Sequence, residues 1–222
     1  RVAATPETVK KFIAAGHAVV VQAGAGLRAS APDADYVAAG ATIAVDAATT
    51  LSGSDIVLKV RAPLPEEIAL FKEGAVVVGM FDPFRNPHLD AYASRKLSCF
   101  AMELLPRTLS RAQNMDVLSS QANLAGYKSV LLAACEYQRM FPMLMTAAGT
   151  VKPARVVVIC VGVAGLQAIA TAKRLGAVVE ATDLRPTAKE QVESLGGKWL
   201  DVPMSDEEKA KALGTGGYAW IP

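Results

Sequence analysis

The stretch VVVICVGVAGLQAIATAKRLGAVVEATDLR, Val156–Arg185, decides the fold. Arg155–Ile159 predicts a buried parallel strand, Val163–Leu175 a helix, and a second strand ends at the acid Asp183. The N-terminus of such a helix carries unsatisfied N–H groups and a positive partial charge, and a pyrophosphate placed there receives both. Gly162 stands where the backbone must approach the phosphates and Gly165 where the helix must pack against the strand, as in the second and third glycines of G-x-G-x-x-G. Asp183 lies 21 residues after Gly162, where a carboxylate accepts hydrogen bonds from the adenosine ribose and repels a 2′-phosphate, favouring NAD over NADP. Arg185, two residues on, is placed to soften that preference.

Cys160 occupies the place of the motif's first glycine. A negative φ makes the exchange tolerable, whereas a positive φ implies strain of about 1–3 kcal/mol. A reactive or metal-binding thiol is the bolder reading. No cationic residue or second thiol is near in sequence, so the favoured expectation is a small buried hydrophobe.

Outward from this unit the chain reads as α/β. Thr5-Pro6-Glu7 is a helix start, with a capping hydroxyl, Pro at the first helical position and an acid at the positive end of the dipole. Strand patterns at Ala18–Val21, Thr42–Val45, Ser54–Val60, Ala75–Val78 and Leu97–Met102 alternate with helical patterns, which implies a mostly parallel sheet. Ser119–Met145 has no strand signature and predicts one long helix, bent or ended before Pro142, and Ala148–Pro153 predicts a loop. The expectation is two Rossmann-like parallel-sheet lobes, 1–118 and 119–222, joined by the long helix. The second lobe is incomplete, with two strands of a nucleotide fold finished. The absence of an initiator Met and this unfinished lobe suggest a fragment.

The 222 residues are 52% hydrophobic and 20% charged, enough for a sizeable core. Lys plus Arg number 23 and Asp plus Glu 21, in scattered mixed sign, so nucleic-acid binding is disfavoured. Three separated cysteines, none in a C-x-x-C pair, argue against a disulfide framework or a zinc site, and no metal site is expected. The longest apolar run, Val156–Leu166, is about half the length of a membrane span, so no direct span is expected. Pro106–Gln121 concentrates polar groups before the long helix, either as a solvated connector or as the source of groups that orient a nicotinamide in a cleft.

RAQNMDVLSSQANLAGYKSV (Arg111–Val130), MTAAGTVKPA (Met145–Ala154), GVAGLQAIATAKRLGAVVEATDLRP (Gly162–Pro186) and KEQVESLGGK (Lys189–Lys198) complete a resemblance that covers essentially the whole chain. With RVAATPE (Arg1–Glu7), Gly24-Ala25-Gly26 and Lys59-Val60, it resembles the NAD(H)-binding component (alpha subunit, domain I) of proton-translocating NAD(P) transhydrogenases, within the superfamily that holds alanine dehydrogenase. The resemblance implies a homodimer on the cytoplasmic face of the bacterial inner membrane. It presents NAD(H) to NADP(H) on a partner component, while a membrane component couples hydride exchange to proton movement.

The resemblance further implies that Gln113, Asp116 and Ser119 hold the nicotinamide and its ribose, and that Arg107 or Arg111 contacts the carboxamide region. Val161, Gly162 and Val163 match the family's pyrophosphate loop, and Asp183, Leu184 and Arg185 its adenosine-ribose strand end. Two other readings stand beside it. Arg1 and Lys59 match the substrate-binding pair of an alanine dehydrogenase, although the neighbourhood Gly79–Phe84 lacks that enzyme's histidine and His88 comes several residues later. A non-catalytic NAD-binding module is the third.

Overall fold

The computed structural model describes residues 1–106, 109–203 and 205–214. The chain divides into two units, Arg1–Asp116 and Val117–Pro222.

In the first unit the elements run α1 (Pro6–Ala14), β1 (Val20–Gln22), α2 (Asp33–Ala38), β2 (Thr42–Ala44), α3 (Ala47–Leu51), β3 (Ile56–Arg61), α4 (Pro65–Ile68), β4 (Val76–Met80), α5 (Leu89–Ser94), β5 (Ser98–Ala101) and α6 (Ser110–Gln113). Thr5 caps α1 by accepting a hydrogen bond from the Thr8 amide at 3.3 Å, with Pro6 at the first helical position. β1 pairs with β2, and β3-β4-β5 form a second sheet, all parallel. Val57, Phe71, Val77, Phe81 and Tyr92 centre one core cluster, Val9 and Tyr36 another. The two tyrosines satisfy their hydroxyls on backbone, Tyr36 donating to the Ala4 carbonyl at 2.8 Å and Tyr92 to the Pro63 carbonyl at 2.9 Å.

The second unit runs α7 (Val117–Glu136), β6 (Leu144–Thr146), β7 (Gly149–Val151), β8 (Arg155–Ile159), α8 (Val163–Arg174), β9 (Val178–Thr182), α9 (Ala188–Ser194), β10 (Lys198–Trp199) and α10 (Asp206–Gly214). Its parallel sheet has the order β10-β9-β8. The register sets Val156 beside Val179 and Val158 beside Ala181, so these face the core with Ile169, Ala172 and Val192. The opposite face carries Val157 and Ile159, 51% and 74% exposed. Glu180 lies on that second face. The Arg155 guanidinium, donating at 2.6 Å, holds its carboxyl below the usual range against the opposing pull of burial.

α7 lies against α8 with no room for a side chain at Gly126, where a Cβ would sit 2.1 Å from the Ala164 carbonyl oxygen. That close approach explains a glycine inside a 20-residue helix, where it costs about 1 kcal/mol relative to alanine.

Three sequence expectations are corrected here. The long helix ends at Glu136, before Pro142 as one of the two expectations has it, but the stretch without a strand signature contains the start of β6, with Met145 in it. The stretch from Ala148 that predicts a loop contains β7, which pairs antiparallel with β6 in the register Leu144↔Val151 and Thr146↔Gly149. Pro142 lacks the N–H a continuing helix needs, and three-residue strands are too short to show a period. The nucleotide-type sheet has a third strand, β10, rather than two. Among the described residues no helix is long and apolar enough to cross a membrane.

Candidate functional site

β8 and β9 run side by side to their C-terminal ends, where the Cys160 amide adds one more rung by donating to the Thr182 carbonyl at 3.0 Å. The chain then turns through Val161, which is buried, into Gly162, the N-cap of α8. No side chain caps this helix. Around the position of an absent Cβ at Gly162 nothing lies within 4 Å. At Gly165, one turn on, a Cβ would lie 2.0 Å from the Cys160 carbonyl oxygen. One glycine lets the helix seat on the strand end. The other leaves open space above a helix N-terminus, which fits a pyrophosphate.

Asp183 follows β9 and its carboxylate turns back onto this loop. Oδ2 accepts from the Val161 amide at 2.6 Å and from an Arg185 Nη at 3.1 Å, while Oδ1 accepts from the Arg185 amide at 2.8 Å and from Arg185 Nε at 2.9 Å. The same guanidinium donates to the Val161 carbonyl at 3.0 Å. Burial pushes the Asp183 carboxyl up, but the hydrogen bonds from the Arg185 side chain, the Arg185 amide and the Val161 amide, with the guanidinium's charge, bring it below the usual carboxylate range. Reciprocally, the hydrogen bonds to Asp183 raise Arg185 above its ordinary value.

Cys160 is not the buried hydrophobe expected from sequence: it is exposed, with φ +74°. The turn out of β8 demands the left-handed conformation that a glycine adopts without penalty, and cysteine keeps it under strain. Cys160→Gly is therefore expected to stabilise the protein by about 1 kcal/mol, the relieved strain exceeding glycine's added entropy in the unfolded chain. Urea unfolding checks it, and an unchanged or lower midpoint contradicts the strain.

The structure thus brings Val161, Gly162, Val163, Gly165, Asp183 and Arg185 into one cluster, with Leu184 half exposed beside it. The polar stretch divides. Arg111, Gln113 and Asp116 close the first unit, Arg111 and Gln113 within α6, while Ser119 stands in the first turn of α7 in the second. Arg107 lies outside the described residues. Lys59, the candidate carboxylate binder, donates instead to Glu67 Oε1 at 2.5 Å, both side chains being mostly buried, and Glu67 Oε2 accepts from the Leu64 amide at 2.7 Å. His88 sits at the N-cap of α5. Sequence reasoning missed the Asp183–Val161 bond and the Glu67 partner of Lys59. The first had a signal in the acid's spacing, and the second had none, since Glu67 belongs to another element.

A parallel strand–turn–helix–strand unit with a glycine at the helix cap and a carboxylate at the second strand end defines a protein built on the nucleotide-type α/β fold. The chain belongs to the alanine dehydrogenase/PNT family, whose N-terminal domain matches residues 1–125 and whose C-terminal domain matches residues 129–214. It is 56% identical over 225 residues to the first part of the NAD(P) transhydrogenase alpha subunit of Rhodospirillum rubrum, covering 99% of this chain and 58% of that protein. A crystal structure of transhydrogenase from Sinorhizobium meliloti superposes with a TM-score of 0.88 at 54% identity, covering 95% of this chain and 60% of that one. Alanine dehydrogenase of Methanococcus maripaludis is more distant, 31% identical over 93% of this chain and 56% of that protein. The chain therefore spans less than two thirds of the length of these relatives.

Proposed function

We propose that this chain is the NAD(H)-binding part of a proton-translocating NAD(P) transhydrogenase, acting as a homodimer at the cytoplasmic face of the bacterial inner membrane with NADP(H)-binding and membrane components as partners. The observation that carries the choice is the 56% identity to a transhydrogenase alpha subunit along 99% of the chain. The α8 N-terminus beside Asp183 supports the cofactor.

The amides opening α8 hold the pyrophosphate, Gly162 lets it approach, and Asp183 accepts from the adenosine ribose. Gln113, Asp116 and Ser119 hold the nicotinamide and its ribose, with Arg111 or Arg107 at the carboxamide. The chemistry that bound NADH supplies is hydride donation to NADP⁺ on the partner component. For this chain the task is positioning and exclusion of water, with reacting atoms about 3–3.5 Å apart. No side chain need transfer a proton. Lys59, already matched by Glu67, leaves no unpaired ammonium there for a 2-oxo acid, which speaks against an alanine dehydrogenase.

In the assembled complex Gln113→Ala and Asp116→Ala are expected to cut hydride exchange about 10- to 100-fold while changing NADH affinity much less. Steady-state exchange with NADH titration by fluorescence separates the two. Equal losses reduce these residues to a simple pocket role, and alanine-dependent NADH formation by the protein overturns the transhydrogenase reading.

A further inference from the structure

The Asp183 carboxylate that should receive the adenosine ribose already has four donors. A carboxylate offers about four lone-pair positions, so this one is full. Two donors, the amides of Val161 and Arg185, are fixed in the backbone of the turn. The other two come from a single guanidinium, Nε on Oδ1 and Nη on Oδ2. The partners also differ in freedom: the Asp183 side chain is 8% exposed, whereas that of Arg185 is 32% exposed and reaches the site on a long flexible stem.

Removal of the guanidinium alone would vacate one acceptor position on each carboxylate oxygen and leave both backbone bonds in place. A ribose presents two neighbouring hydroxyls, one for each oxygen. Arg185 therefore occupies, with its own pair of N–H groups, the two positions a cis-diol would take. The third bond of the guanidinium, to the Val161 carbonyl, ties the same side chain to the turn that opens α8. Departure of one side chain thus frees the ribose acceptor, while the Val161 amide bond to Asp183 and the Cys160 amide bond to Thr182 still hold the phosphate turn.

We infer that Arg185 is a latch: it fills the ribose positions of Asp183 when no dinucleotide is bound and must swing out before the diol can enter. This rests on the assignment of Asp183 to the ribose. Arg185 is then a positioning residue that opposes binding, the reverse of a ligand contact. Affinity for the dinucleotide falls by the fraction of molecules with the latch closed.

The experiment is fluorescence titration of the full chain with NADH, accompanied by stopped-flow association, for wild type, Arg185→Ala, Arg185→Lys and Asp183→Asn. Arg185→Ala is expected to bind NADH about three- to tenfold more tightly, with a faster association rate. Arg185→Lys, which keeps the charge and loses the planar fork, is expected to fall between wild type and alanine. A merely structural arginine cannot give this pattern, because its loss loosens the turn and weakens binding. Weaker or unchanged binding in Arg185→Ala overturns the latch alone. Where alanine prevents folding, the lysine variant decides: tighter binding supports the latch and equal or weaker binding overturns it. Undiminished NADH binding by Asp183→Asn overturns the ribose assignment, and the latch falls with it.

Discussion

Gly165→Ala is expected to destabilise the second unit by about 3–5 kcal/mol, a large share of the 5–15 kcal/mol that holds a typical protein folded. The added methyl would lie 2.0 Å from the Cys160 carbonyl oxygen and 3.5 Å from Val158 Cγ1. The first obstacle is backbone, which no rotamer change relieves, so α8 must lift off the strand end and take Ile169 and Ala172 with it. Gly162→Ala is the internal control. Its methyl enters open space at φ −87°, a conformation any residue adopts, so stability should change by less than about 0.5 kcal/mol. NADH affinity should nevertheless drop, because the space is the one assigned to the phosphates. Urea unfolding followed by circular dichroism, with NADH titration of both variants, separates the cases. An alanine at 165 that unfolds like wild type would show that the helix adjusts freely, and unimpaired binding by Gly162→Ala would remove the phosphates from that turn.

The two glycines show what a sequence can and cannot convey here. Their spacing, the β-branched run Val156–Ile159 and the acid at 183 identify the strand–turn–helix–strand unit, because each is a local preference that tertiary packing reinforces. Thr5-Pro6-Glu7 is legible for the same reason: the cap, its proline and its acid lie within three residues. The hairpin of β6 and β7 is invisible, since its partners define each other across a two-residue link and neither has the length for a period. β10 is a two-residue strand that exists because β9 offers it an edge, with Lys198 opposite Glu180. Nor does an unbroken apolar strand announce its two faces. Val156 and Val157 look alike in sequence, and only the register places the first toward the core and leaves the second half exposed.

Within the site, spacing indicates which residues share the end of the sheet but not the state in which they meet. Cys160 illustrates this. Its size and the absence of a neighbouring cation in sequence point to burial, yet the turn fixes φ at +74° and exposes the thiol. The Arg185 guanidinium is drawn to the same turn by Asp183 and also donates to the Val161 carbonyl, beside Cys160 in the chain.

Asp183→Ala is expected to raise the NADH dissociation constant about 10- to 100-fold, since hydrogen bonds to a charged group contribute about 1.5–3 kcal/mol together. Binding of NADPH, whose 2′-phosphate the carboxylate repels, should improve relative to NADH, so discrimination between the two narrows. Parallel titrations measure both, and an unchanged preference removes Asp183 from the ribose site. The same substitution strips the Val161 amide and the Arg185 guanidinium of their acceptor, with an expected loss of about 1–3 kcal/mol in folding stability. The pH dependence fixes its origin. The folded carboxyl lies below its unfolded value of about 3.9, so its stabilisation is complete above that pH and is lost as pH falls through the lower folded value. Asp183→Asn keeps the size and gives up the charge. Its deficit relative to wild type should therefore be constant near neutrality and shrink below about pH 4, where the unfolded wild-type chain takes up the proton that the folded carboxylate accepts only at lower pH. A deficit that stays constant down to about pH 2 would mean that shape, rather than the charged pair with Arg185, holds the turn in place.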